Sequence, residues 1–199
     1  MKGTCEEGTV NKLFEGVSLS SVQQKEEVLS RTITYRVINL VVKGNSNVIE
    51  AFKQYISTHD QQTERFETFP PVICLLLKRY DSKLTKIDDR FEFSEDLDLT
   101  TFLTGPDQES KATYTLYVVI AHKGLQYTGH YVSFIKPKGD RDGWYKFDDE
   151  SVTKCRRENA IDDNFGDSTE DSPWTAYMLM YIRNSELESV LQDATQGLK

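Results

Sequence analysis

Cysteine is scarce in this sequence. Cys5, Cys74 and Cys155 are scattered along 199 residues, and no Cys-x-x-Cys pair occurs. That leaves no pattern for a zinc ribbon and no even, closely spaced set for a disulfide framework, so a reducing compartment is expected. Long apolar runs are missing too. The longest, VICLLL (72–77), is far short of the roughly 20 residues that cross a bilayer. MKGTCEEGTVNKLF at the amino end has no apolar core of signal-peptide length. Positive charge is in deficit: 24 Lys and Arg stand against 32 Asp and Glu, for a formal net charge of -8. An acidic surface argues against non-specific nucleic-acid binding and most often serves solubility. A soluble, intracellular protein without nucleic-acid or membrane partners is expected. Aromatics are not scarce. With 10 Tyr, 10 Phe and 2 Trp, the chain is too aromatic for a disordered tail and long enough for one domain with a real core.

Strand patterns dominate. SLSSVQQ (18–24) is a weak candidate, and TITYRVINLVV (32–42), rich in β-branched residues, is a stronger one. Residues 43–46 read as a turn. Asn47 then opens a helix with Glu50 three positions on, and Val48, Ile49, Phe52, Tyr55 and Ile56 form one stripe. The polar stretch 57–67 reads as a loop. Pro70 and Pro71 block a helix, so VICLLLKRY (72–80) reads as a buried strand. Residues 90–103 alternate at first and then turn polar. Further strands are expected at 114–122, 130–136, 144–149 and 176–183. Residues 161–172 read as a mobile acidic loop, and 184–199 as a helical tail with Ser185 and Glu188 as a capping box. Many strands with one or two helices predict an α+β fold with a mostly antiparallel β-sheet.

One hairpin carries chemistry. His130 opens the strand at 130–136, and Asp148 and Asp149 close the strand at 144–149. A register with Trp144 opposite Phe134 puts Asp148 opposite His130, and a slip of one residue offers Asp149 instead. A carboxylate that accepts from one imidazole nitrogen leaves the other free to take a proton from a nucleophile. Spacing alone fits a surface histidine beside turn aspartates equally well.

AHKGLQYTGHYVSFIKPKGDRDGWYKFDDESVT (121–153) resembles the His box of the ubiquitin-specific proteases, papain-like cysteine proteases that cleave ubiquitin from proteins. FPPVICLLLKRYD (69–81), FEFSEDLDL (91–99) and AYMLMYIR (176–183) resemble further blocks of that family, in its order. The resemblance implies the finger and palm part of a papain-like fold with the helical thumb missing. It implies a partial catalytic domain over 1–183, finger-like to about 68 and palm-like over 69–183, before the tail. By it His130 is the general base, Asp148 its orienting partner and Asp149 an assistant. His122, Gly129, Tyr131, Arg79, Tyr80 and Tyr177 would line a narrow channel for the ubiquitin tail. Ubiquitin and ubiquitinated proteins would be the partners, and nucleus and cytoplasm the location.

No cofactor or metal is implied, because positions 1–45 hold only Cys5 where many relatives bind zinc through four cysteines. The family's Cys box has an Asn, the nucleophilic Cys, an aromatic residue and another Asn, and nothing like it occurs here. Cys74 lies in an apolar strand and Cys5 beside Glu6 and Glu7. Cys155, among Lys154, Arg156 and Arg157, is the one whose neighbours favour thiolate. The chain is thus expected to be the His/Asp half of a deubiquitinase, inactive alone; a catalytically inactive ubiquitin-binding or scaffold module is the alternative. Without the thumb, apolar surface near Tyr131, Tyr177 and 72–80 is expected to be open.

Overall fold

The computed structural model describes residues 7–24, 27–57, 62–104, 111–125, 128–137, 143–167 and 174–192. Its strands are β1 (Gly16–Gln24), β2 (Glu27–Tyr35), β3 (Ile38–Val41), β4 (Gln62–Thr68), β5 (Val72–Lys78), β6 (Asp96–Asp98), β7 (Thr113–Lys123), β8 (His130–Ile135), β9 (Trp144–Asp148), β10 (Ser151–Cys155) and β11 (Thr175–Arg183). The helices are α1 (Glu7–Phe14), α2 (Val48–Ile56), α3 (Arg157–Ala160) and α4 (Leu187–Val190). A three-stranded sheet runs β2-β1-β4. An eight-stranded sheet runs β10-β9-β8-β7-β11-β5-β3, with β6 paired to β7. Every ladder between strands is antiparallel except β3 on β5. The fold is α+β and mostly antiparallel, as expected.

The unbroken apolar run of β5 fits its place. It lies between β11 and β3, and Leu75 and Leu77 are fully buried. The expected open surface at 72–80 is therefore not present over Val72–Leu75 and Leu77, which are buried; Leu76 and Tyr80 are half-buried. Tyr131, on β8, is the exposed member of that set, at 47%. Helix α2 starts as predicted. The Asn47 side chain accepts from the Glu50 amide at 2.9 Å. Glu50 in turn accepts from the Ser46 amide and hydroxyl rather than from Asn47. Phe52 of α2 meets Phe66 of β4 at 5.9 Å and Phe102 at 5.2 Å, and Phe66 meets Phe69 at 4.8 Å between centroids. These rings join the small sheet to the large one.

Several boundaries differ from the sequence pattern. The stretch 32–42 is not one strand. It breaks after Tyr35, and β2 and β3 go to different sheets. Arg36, at the break, donates to Asn11 of α1 at 2.7 Å and to Glu15, just after that helix, at 3.0 Å. The expected loop at 57–67 contains β4, whose polar residues suit a sheet that is largely solvated. Strand β10 was not anticipated because it is an exposed edge with little alternation. The described part of the acidic segment is built rather than open. Ile161 is buried, and the buried Asn164 amide donates to the carbonyls of Asn159 and Ala160. Residues 168–172 of that segment lie outside the described residues. The tail begins with a 3-10 turn at Asn184–Glu186, and no side chain caps α4. Residues 193–199 also lie outside the described residues.

Candidate active site

His130 begins β8 and Asp148 ends β9, neighbours in the large sheet. The observed pairs are Ser133 with Phe147, Phe134 with Lys146 and Ile135 with Tyr145. Continued by one step, this register puts Asp148 across from Val132, two residues from the simple expectation of His130. A shift of two keeps the face, whereas a shift of one would invert it. Asp148 therefore approaches His130 along the diagonal. Its Oδ1 lies 2.6 Å from His130 Nε2, and its Oδ2 accepts from Lys146 Nζ at 2.7 Å. Asp149 Oδ2 is 3.9 Å from the same nitrogen, beyond hydrogen-bond reach, and Asp149 itself turns away in a left-handed conformation at φ 52.

An ionised carboxylate only accepts, so Nε2 carries the proton and Nδ1 is left as the acceptor. The hydrogen bond from His130, and then that from Lys146, holds the Asp148 carboxyl down at about 2. A depressed carboxyl stabilises the fold above its ordinary value near 3.8, and this contribution disappears as pH falls through about 2. Asp148 is thus charged throughout the neutral range.

The ligand atoms of His130, Asp148 and Asp149 lie within 4.8 Å of one another, a grouping that could in principle hold a metal ion. The geometry speaks for a hydrogen bond instead. At 2.6 Å, Nε2 and Oδ1 are too close to share an ion bound about 2.0 Å from each in open geometry, and the Lys146 ammonium already occupies the other oxygen.

Of the residues expected along a channel, Tyr80, His122, Tyr131 and Tyr177 do come together. The His122 ring lies 4.6 Å from Tyr131 and 6.3 Å from Tyr80, and Tyr131 lies 5.4 Å from Tyr177, between centroids. His122 is 2% exposed, and its Nε2 has no hydrogen-bond partner among the described residues. Burial, then nearby Lys86, lowers its pKa and keeps it neutral. Gly129 packs on that ring. A Cβ there would enter the envelope of Nε2, with Cε1 at 2.6 Å and the Leu125 carbonyl oxygen at 2.8 Å. Gly129→Ala should therefore push the start of β8 away from His122. We expect a loss of about 1–3 kcal/mol in chemical denaturation and a disturbed His130 environment by NMR. Wild-type stability with unmoved His130 signals would refute the tight fit.

Arg79 is a correction. It was expected at the channel, but it is 1% exposed. Its guanidinium donates to the carbonyls of Ala176, Ile87, Asp89 and Phe165. All three guanidinium nitrogens thus donate to backbone, through four of the five N–H groups. Of the thiols, Cys74 is buried in its apolar strand as expected, and Cys155 differs from the reading of its neighbours. Burial raises the Cys155 pKa despite its basic neighbours, and pushes Cys74 up to about 11. Cys5 lies outside the described residues. Lys146 was missed, although its place two residues before Asp148 on a strand signals a shared face. Trp174, 6.1 Å from His130 between ring centroids, was missed because no local pattern links it to β8.

A family model described as "Ubiquitin carboxyl-terminal hydrolase" matches residues 1–181. "Ubiquitin carboxyl-terminal hydrolase 7" of Drosophila melanogaster is 36% identical over 227 residues, covering 99% of this chain and 20% of that protein. "Ubiquitin C-terminal hydrolase 13" of Arabidopsis thaliana is 33% identical over 235 residues, covering 96% and 21%. "Ubiquitin carboxyl-terminal hydrolase 15" of Saccharomyces cerevisiae is 31% identical over 249 residues, covering 99% and 20%. The chain therefore spans about a fifth of the length of these curated relatives. Among solved structures, a chain of the "Ubp8-Sgf11-Sgf73-Sus1 SAGA DUB module" superposes with a TM-score of 0.70 at 24% identity, covering 92% of this chain and 42% of that one. At that identity the likeness bears on the fold, which is part of the papain-like architecture. The match over residues 1–181 and the relatives above 30% identity agree: this chain belongs to the ubiquitin carboxyl-terminal hydrolase family.

Proposed function

We propose that this chain is the His/Asp-bearing part of a thiol-dependent deubiquitinase that hydrolyses the bond after the C-terminal Gly of ubiquitin on protein conjugates. The observation that carries this reading is the 2.6 Å contact between His130 Nε2 and Asp148 Oδ1. It leaves Nδ1 to take the proton of an attacking thiol, while Asp148 stabilises the imidazolium that forms. Later the same nitrogen returns the proton to the leaving amine. Tyr80, Gly129, Tyr131 and Tyr177 line the approach for the ubiquitin tail, with the buried His122 ring packed behind Tyr131 and Gly129; the Arg79 guanidinium is instead engaged by backbone carbonyls. We also propose finger-like residues to about 68, palm-like residues over 69–183 and an appended tail over 184–199. Nuclear and cytoplasmic residence is part of the same proposal. We further propose a kinship within the family to the herpesvirus-associated ubiquitin-specific protease, a reading supported by MKGTC (1–5), KPKGD (136–140) and NSELESVLQ (184–192).

None of the three cysteines is proposed as the nucleophile. Cys74 and Cys155 both have raised pKa values, and Cys5 sits beside two glutamates. The purified chain alone should give no turnover of a fluorogenic ubiquitin C-terminal substrate above a His130→Ala control. Turnover by the wild type that is lost in both His130→Ala and Cys155→Ser would overturn the assignment and identify Cys155 as the nucleophile.

A further inference from the structure

Two side chains outside the sequence pattern converge on the His130–Asp148 pair. Lys146 stands two residues before Asp148 on β9, so both project from the same face. Its ammonium reaches Asp148 Oδ2 at 2.7 Å and lies 5.2 Å from the Trp174 ring centroid. Lys123, the cross-strand partner of His130, places its ammonium 4.7 Å from the same centroid. The indole, immediately before β11, is itself 6.1 Å from the His130 ring. The Trp174 ring thus carries two cations near the imidazole, as the ring quadrupole favours.

We propose that Lys146, held against Trp174, is a positioning residue that fixes the Asp148 carboxylate and thereby the tautomer of His130. This rests on the reading of His130 and Asp148 as the working pair. The terminal torsion of an aspartate is soft. If only Oδ1 were engaged, the carboxylate could turn toward water. With Lys146 on Oδ2, both oxygens are bound, and Oδ1 stays aimed at Nε2. A free lysine would lose much rotamer entropy in doing so, and the indole face reduces that loss by restricting its stem beforehand. The charged groups around the imidazole are Asp148 and Asp149 on one side and Lys146 and Lys123 on the other. The depressed titration of Asp148, caused first by His130 and next by Lys146, agrees with this arrangement.

The test uses the full 199-residue chain with isotope-labelled histidine and aspartate. Long-range nitrogen–proton NMR reads the His130 tautomer, and carboxyl carbon shifts read the Asp148 titration. In the wild type, His130 should be mainly Nε2-protonated and Asp148 should titrate at about 2. In Lys146→Met, Asp148 should titrate higher, toward the ordinary carboxylate value, and the minor Nδ1-protonated form should grow several-fold. Lys146→Arg, which keeps charge and donor, should preserve both wild-type readings. Trp174→Leu should increase the minor tautomer by less than Lys146→Met does. The proposal is overturned if Lys146→Met leaves both readings unchanged, or if Lys146→Arg disturbs them equally, since packing alone would then be responsible. Wild-type readings in Trp174→Leu would overturn the part assigned to the indole. If Lys146→Met does not fold by its amide spectrum, Lys146→Leu, which also removes charge and donor, carries the same expectations. Neither readout involves turnover, so failure of the hydrolase reading would appear separately, as no turnover by an enzyme in which a longer relative supplies the thiol-bearing part around this chain, with these signals intact.

Discussion

Arg79→Met should lower stability by about 3–5 kcal/mol, because it strips a buried cation from the backbone carbonyls that converge on it. Four carbonyls, from Ile87, Asp89, Phe165 and Ala176, converge on one guanidinium. Burial pulls the Arg79 pKa down to about 10, with Asp88, Asp89 and Asp167 opposing the shift, so the side chain remains charged at neutral pH. A hydrogen bond to a charged group contributes about 1.5–3 kcal/mol, and the desolvation cost recovered on deleting the charge keeps the total below a simple sum. For a chain of this size the loss corresponds to a fall in Tm of about 10 °C, read by calorimetry. Arg79→Lys should restore only part of it, because a compact ammonium cannot reach four acceptors in a planar fork. A fall of less than about 2 °C in Arg79→Met would show that water or neighbouring groups satisfy the carbonyls.

Arg79 also shows where sequence reading stops. It follows the apolar run of β5, and a charged residue after a strand reads naturally as a rim residue. Its partners lie up to 97 positions away, and they are backbone atoms, which no side-chain pattern marks. The strands that were legible are those with a face committed to the core, such as β5, β7 and β11. Those that were not, β4 and β10, lie largely at the surface, so their composition resembles a loop. The break between β2 and β3 was hidden because the β-branched content continues across it. His130 and Asp148 were legible as a pair because strand alternation puts them on one face in any register of the right parity. The register itself was not, since the loop between β8 and β9 leaves its length of slack open. The choice between Asp148 and Asp149 then follows from parity: Asp149 begins the turn after β9 and points elsewhere.

Asp148→Ala should slow the completed enzyme by about 10²–10⁴-fold in kcat, with little change in KM. A suitable enzyme is a chimera in which this chain replaces its matching stretch of the Drosophila melanogaster ubiquitin carboxyl-terminal hydrolase 7, which supplies the remainder of that protein. The expected loss follows from the role of the carboxylate. It does not touch ubiquitin in the proposed arrangement, so binding is spared. It orients the imidazole and stabilises the imidazolium, which is formed only when the thiol proton moves. Without it, the ring can present its protonated nitrogen to the thiol, and Lys146 loses its counter-ion beside the ring. Asp149→Ala should change kcat by less than about threefold, because its carboxylate is 3.9 Å from Nε2 and its side chain is 79% exposed, where water screens the charge. His130→Ala should bring the chimera to its background rate, because both proton transfers pass through that ring. The measurement is steady-state hydrolysis of a fluorogenic ubiquitin substrate by the four proteins. A larger loss in Asp149→Ala than in Asp148→Ala would mean that the pair rearranges when ubiquitin binds, so that the 2.6 Å contact with Asp148 is not the one used in the reaction.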